Sequence, residues 1–353
     1  MANFTEKQNE NIFLKIAKYL FPWKGDSAVE FIRKIIFLAA TVVLAVSVIS
    51  LIVSACNRAA DTQNNNDLSD LYHGNTTGNA VVELDTDRRE ELEKEYPEVM
   101  DKFLPLLEIN EDVVGWVTIG DPESPVIDYV VVQGEDNDFY LSHNYKKEKS
   151  VSGSIFADAR EPLTIDSEPA NIILYGHNMR SGEYFAKLTR YFNYKPSGNV
   201  GLDFYKKYPT VTFSTLYENR TYKIFGGMLV NTRSKHGKVF DYLGRRNFSS
   251  KEDFDSYIAD ILDRSTFLNP DVNLKYGDKL LTMSTCIYDY GETLSLRWVV
   301  FAREVREGES PEVDVSQCYE NPDPLYFDYY YNTYGGSWGG RKWPAEMIQG
   351  FSY

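Results

Sequence analysis

Three side chains in the second half of the chain have the types that acyl-transfer chemistry needs: Cys286, His177 and Arg297. Cys286 follows a strand-like run, Lys279 to Thr285, whose alternation puts Leu281, Met283 and Thr285 on one face and Thr282, Ser284 and Cys286 on the other. A thiol among hydroxyls suits a nucleophile, which wants a polar, partly open site that stabilises thiolate; a structural cysteine usually hides among aliphatics. His177 ends the apolar run NIILY just after Gly176, where a strand-end imidazole can project into a cleft; a satisfied structural histidine fits the same position. Arg297 opens the run RWVVFARE eleven residues after Cys286, so a hairpin would bring its guanidinium back toward the sulfur. There it could hold an acyl carbonyl and stabilise the oxyanion formed from it. Spacing alone also allows an arginine in a surface ion pair.

The remaining reactive residues narrow the class. His73, His143 and His236 lie in polar stretches, the last two in LSHNYKK and RSKHGKV, which read as solvated loops. No histidine follows Cys286, and this excludes papain-like and cell-wall Cys/His peptidases, in which the nucleophile precedes the histidine. There is no HExxH, no CxxC and no glycine-rich phosphate loop, so neither a metal nor a cofactor is implied. Three cysteines, Cys56, Cys286 and Cys318, allow at most one intramolecular bridge, and Cys318 reads as a free, idle thiol. Acidic residues outnumber basic ones by 52 to 37, for a net charge of -15, which argues against nucleic acid as a partner.

These residues must be positioned by elements that the sequence also marks. Beyond Asn110 the chain breaks into short runs rich in Val, Ile, Tyr and Phe: VVGWVTI, VIDYVVVQ, GSIFAD, NIILYGH, TVTFSTL, TYKIFGGMLV, KLLTMST and RWVVFARE. Eight such runs bounded by Gly, Pro, Asn and Asp predict a closed antiparallel barrel or a sandwich. One helix interrupts them at 249–266, with Ser249 or Ser250 as cap and Phe254, Tyr257, Ile258 and Ile261 on one face. Before the strands, Asp87 to Leu107 predicts two short amphipathic helices, capped by Thr86 or Asp87 and divided at Pro97.

From Ile35 to Cys56 there are 22 residues without charge, enough to cross a hydrocarbon core of about 30 Å. Lys7, Lys15, Lys18, Lys24, Arg33 and Lys34 precede this run, so the positive-inside bias places the N-terminus in the cytoplasm and the rest of the chain outside. Val53-Ser54-Ala55-Cys56 looks like a lipoprotein lipobox, but the length and late start of the run favour an uncleaved signal anchor. The Asn-rich stretch 57–85 reads as a flexible stalk. The tail after Arg306 carries YFDYYYNTYGGSWGGRKWP, a composition that packs on the barrel or stays disordered, with contact to wall glycan through its aromatic faces as the third alternative.

On these residues the chain resembles the sortases, specifically class B. TMSTC, Thr282 to Cys286, matches the family's TLxTC signature with Met283 in place of Leu, and RWVVFAR supplies the matching arginine. NEDVVGWVTI, VVQGEDNDFYLSHN, SGSIFAD and NIILYGHNMRSGEYFAKL look like successive class B segments, and the helix at 249–266 corresponds to the extra helix that marks the class. The resemblance covers about Glu98 to Arg306. Val130 stands where a proline is usual before the VVQ strand, and Ile287 follows the nucleophile where acidic or polar residues are common.

The resemblance implies a mostly β fold: a closed eight-stranded sortase-type barrel with N-terminal helices and one inserted helix, preceded by a single transmembrane helix. It implies a membrane-anchored cysteine transpeptidase of Gram-positive type, without cofactor or metal. Such an enzyme cuts a surface protein within a C-terminal sorting signal and joins the new carboxyl end to an amine of peptidoglycan precursor or of a pilin lysine. Carried onto this chain, Cys286 is the nucleophile, His177 the general acid/base, and Arg297 the oxyanion and substrate-positioning group. Asn137, Leu141 and Ser284 fall in the groove for the sorting peptide; read from the residues alone, Asn137 equally fits a helix cap and Leu141 a core position. The resulting organisation is a cytoplasmic segment at 1–34, a signal anchor at 35–56, a stalk at 57–85, a catalytic domain at 86–306 and an aromatic tail at 307–353. The alternative is a non-catalytic exported protein that binds peptide or glycan on the same barrel. A binding module has no need of Cys, His and Arg together.

Overall fold

The computed structural model describes residues 12–74, 84–121, 123–192, 200–288 and 295–351. It divides into two compact units, Met1–Thr62 and Gln63–Tyr353. The first contains α1 (Ile12–Leu20) and most of α2 (Ala28–His73), which is the one helix among the described residues long and apolar enough to cross a membrane. Its apolar side chains face outward, and its hydroxyls turn back onto the helix, Thr41 to the carbonyl of Phe37 and Ser47 to that of Val43, both at 2.8 Å. The buried Lys34 ammonium donates to Asp26 at 2.8 and 2.9 Å and to the carbonyl of Lys18 at 2.6 Å, which satisfies its charge.

Where a flexible stalk is expected over 57–85, α2 instead continues to His73. Leu68 and Tyr72, four residues apart on one helix face, are buried in a cluster with Phe103, Leu107 and Trp116. Tyr72 stacks on Trp116 at 4.3 Å, and the buried Asp128 carboxylate takes Ser69 at 2.5 Å, His73 at 3.1 Å and the Trp116 indole at 2.7 Å. This packing outweighs the poor helix propensity of the Asn and Asp residues before it. Residues 75–83 of the expected stalk lie outside the described residues.

In the second unit, α3 (Thr86–Glu95) is capped by Asp85, whose carboxylate accepts from the amide of Arg88 at 2.8 Å, one residue before the expected cap. After α4 (Leu104–Ile109) come β1 (Val113–Asp121), β2 (Ser124–Val132), β3 (Ile155–Ala157), β4 (Asn171–Tyr175), α5 (Val200–Lys207), β5 (Thr210–Thr215) and β6 (Asn219–Asn231). Then follow α6 (Lys251–Arg264), β7 (Ser265–Leu268), β8 (Leu280–Ile287), β9 (Leu296–Glu304), β10 (Tyr319–Glu320) and α7 (Asp328–Tyr334).

The strands pair in the order β6-β5-β1-β2-β3-β4-β8-β9, and β9 returns to β6, closing an eight-stranded barrel. Its members are the eight runs that the sequence marks. Where an antiparallel barrel is expected, β2–β3 and β4–β8 are parallel, because the long connections between these strands return the chain to the same end of the sheet, and the rest are antiparallel. The short β7 and β10, which the sequence does not mark, extend the sheet from β6. Inward-facing Val117, Ile119, Val131, Leu174, Phe213, Ile224, Leu281, Met283, Trp298 and Val300 fill the barrel. The inserted helix α6 is capped by Ser250 and buries Phe254, Tyr257, Ile258, Ile261 and Leu262 in a second core with Phe225, Val299 and Phe301.

The aromatic tail packs on this second unit. Trp343, Met347 and Ile348 enter the core beneath α6, while Cys318 and Phe327 join the barrel core. Asp263, in the last turn of α6, clasps it: its carboxylate takes both guanidinium arms of Arg341 at 2.9 Å and the Trp343 indole at 2.7 Å.

Candidate active site

The backbone register of three strands places the chemistry. Parallel pairing of β4 with β8 aligns Tyr175 with Ser284, and the amide of Gly176 then donates to the carbonyl of Ser284 at 3.2 Å. Beyond the strand end, the Thr285 hydroxyl donates to the carbonyl of Gly176 at 2.7 Å and the Asn178 amide to that of Cys286 at 2.9 Å. His177 is therefore held between two residues that are each tied to β8. A β-carbon on Gly176 would lie 2.7 Å from the Phe185 ring, so the close approach of that ring demands glycine before the histidine. On the other side, antiparallel β8 and β9 set Cys286 directly opposite Arg297.

Alternation along β8 does what the sequence pattern predicts. Leu281 and Met283 point into the barrel, while Thr282, Ser284 and Cys286 share the outer face with buried polar partners. The Thr282 hydroxyl donates to Asn171 at 2.8 Å, and Ser284 pairs with the Tyr242 hydroxyl at 2.8 Å. Cys286 is a free thiol, partly exposed. Arg297 donates to the carbonyl of Leu296 at 3.2 Å and makes no ion pair among the described residues, unlike a surface-bridge arginine. His177 Nε2 lies 2.8 Å from the carbonyl oxygen of Leu141; a carbonyl only accepts, so this nitrogen carries the hydrogen.

All six residues singled out from the sequence, Cys286, His177, Arg297, Asn137, Leu141 and Ser284, line one cavity of about 670 Å³. Asn137 does not cap the short turn that follows; Asp136 does, accepting from the amides of Asp138 and Phe139 at 2.9 and 2.8 Å. Asn137 instead accepts from the amide of Ala159 at 2.8 Å, joining two loops of the rim. Leu141 is exposed at the rim and is not a core residue.

Sequence reasoning missed the opposite wall. Val239, Phe240, Asp241, Tyr242 and Leu243 line the cavity from the segment between β6 and α6. Tyr242 is buried, which raises its phenol pKa, and its backbone carbonyl accepts from the Tyr257 hydroxyl at 3.1 Å. The faint signal was alternation of Phe240 and Tyr242 in KVFDYLGRRN, too short to stand out from a loop. Arg160 and Tyr175 also line the cavity and meet at Asp158. Burial alone would raise that carboxyl, but hydrogen bonds from Arg160 and Tyr175 outweigh it and bring its pKa to about 2.

The other histidines and cysteines lie elsewhere. His143 stacks on Phe139 at 4.0 Å, and its Nδ1 meets the carbonyl of Phe139 at 2.8 Å. His236, expected in a solvated loop, is buried because the tail lays Tyr329 over it at 5.3 Å. Cys318 is buried and unbridged, and burial pushes its thiol pKa up to about 12. Among the described residues, no group of His, Cys, Asp and Glu could hold a metal ion.

No family model matches the chain. It is similar to the Sortase B of Listeria monocytogenes, with 36% identity over 189 residues, or 54% of this chain and 68% of that protein. The Sortase B of Staphylococcus aureus is 29% identical over 215 residues, 61% of this chain and 79% of that one. A solved structure of a Staphylococcus aureus sortase B–substrate complex superposes with a TM-score of 0.54 at 25% identity, covering 71% of this chain and 99% of that one. A mutant form of Clostridium perfringens sortase B gives a TM-score of 0.50 at 28% identity, covering 69% and 98%.

Proposed function

Because this chain belongs to the class B sortases, a family of cysteine transpeptidases, we propose that it cleaves a C-terminal sorting signal of surface proteins and transfers the acyl group to an amine. The observation that carries this reading is the convergence of Cys286, His177 and Arg297 on one cavity through the register of β4, β8 and β9. The Cys286 thiolate attacks the carbonyl carbon of the signal's threonine, forming the C–S bond of a tetrahedral intermediate whose oxyanion the Arg297 guanidinium stabilises. The C–N bond then breaks, His177 gives its proton to the departing amine, and a thioester remains. An incoming amine adds to the thioester carbonyl while His177 takes its proton, and the C–S bond breaks to return the thiolate. Exclusion of water at this second step decides transfer over hydrolysis.

Asn137, Leu141 and Ser284 hold the sorting peptide in this reading, and Tyr242 bounds it from the opposite wall. The enzyme is membrane-anchored: the uncharged run 35–56 of α2 crosses the bilayer once, with the lysines before it in the cytoplasm and the catalytic unit outside, facing the cell wall. The acceptor is an amine of peptidoglycan precursor or a pilin lysine. The test is intact-mass analysis of the full chain in detergent, incubated with a pool of sorting-motif peptides with and without wall-precursor peptide or pilin. An acyl adduct on Cys286 that passes into an amine-linked product, absent in Cys286→Ala, supports the reading and names both signal and acceptor. Peptides left intact by a chain whose Cys286 also resists iodoacetamide would overturn it.

A further inference from the structure

The inner wall of the cleft is only partly backed by core: Tyr242 is buried in the cluster beneath α6, with Phe240 and Leu243 packed against it. Behind it lies a second cavity of about 530 Å³, between the wall, α6 and the C-terminal tail, and Asn231 and Phe240 line both cavities. Where the two cavities meet, around Asn231 and Phe240, the start of the wall is located by few contacts. The Asn231 amide fixes its start, donating to the carbonyls of Arg233 and Gly237 at 3.0 Å each. The Arg264 guanidinium lies over the Phe240 ring at 4.5 Å.

The far end of the wall is held by Ser284 and Tyr257 at Tyr242 and by Arg160 at the carbonyl of Leu243; its start is also met by the tail. Phe327 is buried in the barrel core, and the two residues after it reach the wall. Gly237 sits at φ 118°, and a β-carbon there would lie 2.6 Å from the backbone nitrogen of Asp328, so wall and tail touch at backbone distance. One residue earlier, the buried His236 ring packs on Tyr329. The Asp263 clasp and the pairing of β10 with β7 fix the tail on either side of this contact.

We propose that the tail segment Phe327–Tyr329 is a brace that sets the position of the cleft wall 237–243, with Tyr329 and Gly237 as positioning residues for the peptide that the cleft takes. The consequence for peptide affinity rests on the acyl-transfer reading; the brace itself does not. The test is hydrogen exchange on the full chain in detergent, comparing wild type with Tyr329→Ala, Tyr329→Phe and Gly237→Ala. In Tyr329→Ala and Gly237→Ala, amides of 238–243 should exchange about tenfold faster while β8 and β9 keep their protection, and Tyr329→Phe should behave as wild type. With the peptide consumed from the sorting-motif pool, the first two variants should raise KM about fivefold. They should leave kcat and the rate of Cys286 alkylation by iodoacetamide within about twofold.

Unchanged exchange in 238–243 in both variants would overturn the brace, as would equal acceleration across β8 and β9, which marks a general loss of structure. A wild-type chain that consumes no peptide would defeat the acyl-transfer reading and leave the exchange result to decide the brace.

Discussion

One wall of the cleft is strand and the other is loop, and the two are held by different forces. Cys286, Ser284 and Arg297 sit on β8 and β9, whose ladder bonds run without a break from Leu280–Arg303 to Ile287–Leu296, over a barrel core in which Met283 and Trp298 are wholly buried. Their geometry follows from backbone register and survives most side-chain changes. Residues 237–243 have no ladder. They are held by side-chain contacts with Asn231, Arg264, Tyr257, Ser284, Arg160 and the tail, and by packing of Phe240, Tyr242 and Leu243 on the core beneath α6. On the function and the brace proposed above, chemistry therefore rests on the part that costs most to deform, and recognition on a part that a single substitution can move.

The sharpest way to separate the two walls is to strike the chemistry itself. Cys286→Ala should lower kcat by at least about 10⁴-fold and abolish the acyl adduct in intact-mass spectra. Arg297→Ala should cost about 10²–10³-fold in kcat by loss of oxyanion stabilisation. Both should leave the thermal midpoint nearly unchanged, since neither side chain is core. If a wall variant such as Tyr242→Phe lost as much kcat as Arg297→Ala, the division of labour would be wrong.

Stability should divide the same way. Trp298→Ala empties the barrel centre beneath β8 and should cost about 3–5 kcal/mol in urea unfolding, with activity falling only as the native fraction falls. Asp263→Ala releases Arg341 and Trp343 together; because Arg341 remains about a third exposed, the expected cost is smaller, about 2 kcal/mol. Its exchange signature should differ as well, concentrated in 319–351 and 237–243. Protection lost first in β8 would show that the tail supports the barrel rather than the wall.

The contrast also accounts for what could be read from sequence. Short runs rich in Val, Ile, Tyr and Phe between turn residues reported every strand of the barrel, and period-two alternation reported the facing of Leu281, Met283, Ser284 and Cys286. The 3.6-residue pattern and Ser250 reported α6 to within two residues. Residues 237–243 left only the brief alternation of Phe240 and Tyr242, since a loop wall is specified mainly by long-range contacts such as that of Tyr257 with Tyr242. The helix through His73 failed for a related reason. Its signal was two residues, Leu68 and Tyr72, in an Asn-rich stretch whose local propensity points the other way. The tail's burial was legible only as composition, and Asp263, on which it depends, reads in sequence as an exposed carboxylate in the last turn of a helix.

The finest test lies on the strand side, where Asp158 ties Arg160 to Tyr175, two residues before His177. Its carboxyl is held at about 2 in the folded chain against about 3.9 unfolded, so the folded state gains from ionisation. That contribution is complete above about pH 4 and disappears as pH falls toward 2, with a size on the order of 2 kcal/mol. Glu309 is also held low, by hydrogen bonds from Arg303 and Lys223, and its contribution weakens with acid in the same direction, so the wild-type profile alone does not isolate Asp158. The difference between wild type and Asp158→Asn does: urea unfolding between pH 6 and pH 2.5 should show the wild type losing its advantage over the variant as the medium acidifies. Parallel curves would mean that Asp158 contributes nothing through its charge.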